Sequence, residues 1–213
     1  MTLRSLLRAA VATALAAAFV ATAAAAQDPR LGRLDPGTRP LVAVAIDSAR
    51  AAGLPTEPLV QRALEGATKG APGPLIVSAV QRLAADLGRA REALGPGTTP
   101  PELEAGAAAL RAGAGPAVLT QLRRARRQTI AVPLAVLTDL VASGVPVDSA
   151  AAAVLALAAR ARDADLVEFR RAVERDIALG APPTAATAAA AAAADARISQ
   201  LNAGARENRP GRP

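Results

Sequence analysis

The chain writes almost the same five residues repeatedly: TRPLV at Thr38–Val42, TEPLV at Thr56–Val60, GPLIV at Gly73–Val77, GPAVL at Gly115–Leu119 and VPLAV at Val132–Val136. Proline is tolerated in the first turn of an α-helix, because the N–H it lacks has no intrahelical partner there. Thr38 and Thr56 stand where an N-cap hydroxyl is useful. Gly53, Gly70, Gly95, Gly144 and Gly180 stand where helices should close. The repeated phrase is therefore a helix-start signal, not a binding motif.

Read with these start and stop signals, the chain divides into nine helices of roughly 12–21 residues. The starts are Thr38, Thr56, Pro74, Thr99, Pro116, the Thr129–Pro133 stretch, Asp148–Ser149, Asp163 and Pro182–Thr184. Thr99-Pro100-Pro101-Glu102 has the capping-box pattern. Ile76, Val80, Leu83, Leu87, Ala90 and Leu94 step by three or four, as do Leu166, Phe169, Val173 and Ile177. Each set is the apolar stripe of an amphipathic helix. Val and Ile clusters sit in helical spacing behind caps, so no strand is predicted. The predicted class is all-α. Short loops favour neighbouring antiparallel helices. GLPTE at Gly53–Glu57 returns as GVPVD at Gly144–Asp148, and more loosely as TPPE and GAPPT. A unit of roughly 36–46 residues with two helices suggests an array of αα-hairpins of the helical-repeat or solenoid kind. The alternative is an irregular helical bundle.

Composition limits the chemistry. Of the 213 residues, 52% are hydrophobic but only 1% are aromatic, and His, Cys, Trp and Tyr are absent. There is no side chain that titrates near neutrality unperturbed, no thiol nucleophile and no thiolate metal site. Ser48, Ser78, Ser143 and Ser149 have no His to activate them. A non-catalytic protein without a cofactor is expected. Ala buries little area, so Leu, Val and Ile must supply most of the hydrophobic term, and helices faced by Ala must approach closely.

Residues 1–26 carry Arg4 and Arg8, an apolar run over Ala9–Val20 and Ala24-Ala25-Ala26, which is the pattern of a secretory signal peptide. Residues 27–37 read as a flexible lead-in, 38–201 as the helical domain and 202–213 as a disordered basic tail. Past the signal peptide, Arg, Asp or Glu interrupts every apolar run, so no transmembrane span is expected. The expected location is periplasmic or extracellular.

The formal net charge of +7 is borne almost entirely by Arg. Arg123, Arg124, Arg126 and Arg127 fall on one broad face if the helix from Pro116 continues to about Arg127, with Val118, Leu119 and Leu122 opposite. Guanidinium groups suit carboxylate and phosphate. The face is the best candidate contact for an acidic protein partner or an anionic envelope component. Nucleic acid is not expected as a partner, since no aromatic residue is available to stack on bases. Asp163, Asp165 and Glu168 are the only acidic cluster worth weighing as a cation site or a carboxylate-based enzyme site, and acidic residues in a first turn are ordinary. Gly66–Gly73 lacks the order of a phosphate loop, and Lys69 is better placed as a helix C-terminal cation. Two functions follow as expectations: an exported binding or scaffold module of the cell envelope, and a peripheral binder of anionic membrane or wall surfaces.

Overall fold

In the computed structural model, residues 28–207 are described, with side chains described as far as Leu201. The signal-peptide reading of residues 1–26 lies outside the described residues. Nine α-helices follow a short 3₁₀ helix, Pro29–Arg33. They are α1 Thr38–Ala51, α2 Glu57–Thr68, α3 Gly73–Leu94, α4 Pro100–Arg111, α5 Pro116–Ala125, α6 Ala131–Ala142, α7 Val147–Ala158, α8 Asp163–Ala178 and α9 Pro183–Glu207. Among the described residues there is no strand, and the all-α class stands.

The helix ends follow local chemistry. At the end of α6, the Gly144 N–H donates to the Val141 carbonyl and the Val145 N–H to the Leu140 carbonyl, both at 3.0 Å. This double closure needs a left-handed residue at Gly144, whose φ is +90°. Val145 is then driven into the core, and Pro146 sets up the next helix. The same pair of bonds closes α1, α2, α4 and α8. In four of these five places the sequence is glycine, an apolar residue and proline: stop, anchor, start.

The starts are less literal. The α1 cap is Asp35, not Thr38: Asp35 Oδ1 accepts the N–H groups of Gly37 at 3.0 Å and Thr38 at 2.9 Å. Thr38 itself is buried inside the first turn. The Thr56 side chain makes no capping bond. At α4 the expected box is present: the Thr99 N–H donates to Glu102 Oε2 at 3.0 Å.

Both predicted stripes face inward. Ile76, Val80, Leu83, Leu87, Ala90 and Leu94 are buried, as are Leu166, Phe169 and Val173, with Ile177 packed beside them. Backbones come close where side chains are small. A Cβ on Gly106 of α4 would lie 3.1 Å from the Ala90 Cβ and 3.3 Å from methyls of Leu94 and Leu119. The long α3 is the hub, touching α1, α2, α4 and α5. Beyond it the main contacts join alternate helices: α4 to α6, α6 to α8, α5 to α7, and α7 to α9. Consecutive helices pair extensively at α2–α3, α3–α4, α6–α7 and α8–α9, but α1–α2 and α7–α8 barely touch. Loop length limits how far the chain travels, while buried area decides which helix it meets.

Two boundaries are corrected. Residues 28–34 are not a free lead-in: Leu31 and Leu34, three apart, are 2% and 3% exposed, and the 3₁₀ helix packs on α2. Arg30 fixes it further, pairing with Asp28 at 2.6 Å and Glu57 at 2.7 Å. At the other end, α9 continues six residues into the expected tail, through Glu207. That stretch contains Ala203, Ala205 and Arg206, all good helix formers, and Pro210 lies beyond it.

Candidate functional site

The four-arginine stretch does not form one helix face. Helix α5 ends at Ala125, and Arg126 is extended, with φ −129° and ψ 125°. That turn throws the four side chains to different fates. Arg126 is 5% exposed. Its Nη1 donates to the carbonyls of Ala161 at 2.8 Å and Ala158 at 3.3 Å, and its Nη2 donates to Gln128 Oε1 at 3.1 Å and pairs with Asp163. It caps the end of α7 from outside. Arg123 is half-buried and pairs with Glu102 at 2.9 Å. Only Arg124 and Arg127 face solvent, and neither makes an ion pair among the described residues.

Glu102 joins three elements. It is 3% exposed, at the start of α4. It accepts from the N–H and hydroxyl of Thr99, both at 3.0 Å, from the Ile130 N–H at 3.1 Å, and from Arg123. Burial opposes its ionisation. Arg123 and the N–H groups of Thr99 and Ile130 more than offset that and hold the carboxyl down at about 2. Glu102 and Arg126 thus make the α5–α6 connection structural.

The acidic cluster is also taken apart. Asp163 pairs with Arg126, Asp165 with Arg162 at 3.2 Å, and Glu168 with Arg197 at 3.5 Å. Asp165, not Asp163, provides the α8 cap, accepting the Arg162 N–H at 2.9 Å. No three metal-ligating side chains come together among the described residues. Lys69 pairs with Glu65 at 2.6 Å at the end of α2. No helix among the described residues is long and apolar enough to cross a membrane.

The structure assembles a different arginine group. Arg62 of α2, Arg82 and Arg89 of α3, and Arg111 of α4 line one cleft of about 500 Å³, with Asp86, Leu83 and Leu110. Four cations face one carboxylate. Asp86 is 6% exposed, at the base, and Arg89 pairs with it at 2.6 Å. Arg62 pairs with Glu65 at 3.0 Å. Arg82 and Arg111 are exposed, and neither makes an ion pair among the described residues. The sequence holds half of this signal: Arg82, Asp86 and Arg89 recur at i, i+4 and i+7, one stripe of α3 beside its apolar one. Arg62 and Arg111 are 49 positions apart and meet only because α2 and α4 both pack on α3.

Such a cleft can hold an oxyanion by paired N–H donors. No family model matches the chain, and no curated protein or solved structure is significantly similar to it.

Proposed function

We propose that the chain is an exported, non-catalytic binding or scaffold module of the cell envelope, which engages an anionic group of its partner in the Arg62–Arg82–Arg89–Arg111 cleft. The observation that carries this reading is the pair Arg82 and Arg111, two guanidinium groups in one cleft that make no ion pair among the described residues. Unpaired cations in a concave wall are available to a ligand without breaking an internal ion pair. The absence of His and Cys from the whole chain supports a role without bond chemistry. The pattern of residues 1–26 supports export, and an intact mass beginning at Gln27 tests it.

The binding test uses a blocked diglutamate peptide, short enough to occupy the arginine end alone, as the probe, with the wild type beside Arg82→Gln/Arg111→Gln. Both positions are exposed, so the variant keeps the fold, which circular dichroism checks. Titration calorimetry should show salt-sensitive binding by the wild type and a loss of about tenfold in the variant. Equal binding by both, or none by either, removes the cleft from the function. Sedimentation with anionic vesicles examines the second reading, an envelope surface as the partner. Exposed Arg124 and Arg127 favour it: sedimentation that survives the double variant and fails in Arg124→Gln/Arg127→Gln places that contact on the α5–α6 connection.

A further inference from the structure

The arginine cleft does not stop at Arg62 and Arg111. Those two side chains, with Leu83, also line an adjoining depression of about 640 Å³ whose other walls are Glu57, Pro58, Gln61, Glu65 and Glu104. One trough therefore runs over α2, α3 and α4 with opposite charge at its two ends. At one end are Arg82 and Arg89; at the other are Glu57, Glu65 and Glu104; Arg62 and Arg111 stand between. Over its whole length four cations oppose four carboxylates, so the trough is polarised and not basic.

The carboxylates are not equivalent. Glu57 is held by Arg30 at 2.7 Å and by Gln61. Glu65 is shared between Arg62 and Lys69. Glu104 is exposed and makes no ion pair among the described residues. Each end of the trough thus has a charge without an ion-pair partner among the described residues, Arg82 at one and Glu104 at the other. Leu83 and Pro58 give the walls apolar surface, and the Gln61 amide offers a donor and an acceptor of the kind a peptide backbone uses.

We infer that the trough binds a dipolar peptide segment, its carboxylates lying against Arg82, Arg89 and Arg111 and its ammonium group against Glu104. This rests on the reading of the arginine cleft as the anion-binding part of the molecule. A uniformly acidic chain long enough to pass Arg111 meets Glu104, Glu57 and Glu65, and like charge there costs affinity. A short anion fills only one end. A chain that changes sign along its length matches both.

The test uses blocked hexapeptides in titration calorimetry with the full-length processed protein: one with two Glu, two Ala and two Lys in that order, and one with both Lys replaced by Ala. The Glu–Lys peptide should bind about fivefold to tenfold more tightly than the Glu–Ala peptide. Glu104→Gln should erase that preference while leaving the Glu–Ala peptide unchanged. Arg82→Gln should weaken both peptides. Equal affinity for the two peptides in the wild type, with Arg82→Gln still weakening both, overturns the dipolar ligand and leaves the anion-binding reading intact. Binding of neither peptide, or binding indifferent to Arg82→Gln, overturns both. Each variant is exposed and is compared only after its helical circular dichroism matches the wild type. A preference that survives Glu104→Gln also counts against the inference.

Discussion

Arg126, in the connection after α5, is ion-paired with Asp163, the first residue of α8, and its buried guanidinium at the same time donates from Nη1 to the carbonyls of Ala158 and Ala161. One side chain from the middle of the chain thereby satisfies the C-terminal end of α7 and holds the start of α8. Helices α7 and α8 barely touch each other, so this clamp replaces the packing that a hairpin would supply. A C-terminal helix end leaves carbonyls without partners, and a cation is the natural group to meet them.

Arg126→Gln should cost about 2–3 kcal/mol in urea unfolding, since it strands two carbonyls and removes a buried charge from its partner. Arg124→Gln and Arg127→Gln should each stay within about 0.5 kcal/mol of the wild type, as exposed sites do. Equal costs at all three arginines would contradict the division into buried and exposed roles.

Glu102 should make stability depend on acid. Its folded carboxyl is held at about 2, below the ordinary 4.5. A depressed carboxyl stabilises the fold fully above its unfolded value, and that contribution fades as pH falls from about 4.5 through about 2. The size at neutral pH is about 3 kcal/mol. Glu102→Gln should therefore be less stable than the wild type by that order at pH 7, and the two unfolding curves should converge as pH approaches 2. A constant difference across the range would show that the carboxylate charge is not what matters.

Two glycines in helices should respond with opposite sign to the same change. Gly106 is crowded by Ala90, Leu94 and Leu119, so Gly106→Ala should lose about 1–2 kcal/mol despite the better helix propensity of Ala. Gly88, inside α3, has nothing within 4 Å of a built Cβ, so Gly88→Ala should gain up to about 1 kcal/mol. Thermal melts of the two variants beside the wild type read the sign directly.

The helices were legible because their signals are local. A proline in the first turn, a glycine at φ +90° and an apolar stripe each act within a few residues, and Gly144-Val145-Pro146 states its structure in three letters. The same locality misled at the start of the domain. Leu31 and Leu34 look like loop residues until α2 is there to cover them, and Asp35 takes the cap that Thr38 seemed to hold.

The arginines show the limit most sharply. A helical wheel puts Arg123, Arg124, Arg126 and Arg127 on one face, but the wheel assumes that the helix continues. It stops at Ala125 because Glu102 binds the Ile130 N–H and Arg126 finds the end of α7, both contacts more than 25 positions away in sequence. The sequence by itself determined that this chain is helical, about where most of its helices begin and end, and which stripes of α3 and α8 turn inward, since those follow from backbone caps and the period of apolar residues. Only the tertiary structure decided which arginines are buried as clamps and which gather in a cleft. Charge and hydrogen bonding act through space, and α2, α3 and α4 bring together side chains that the chain itself keeps far apart.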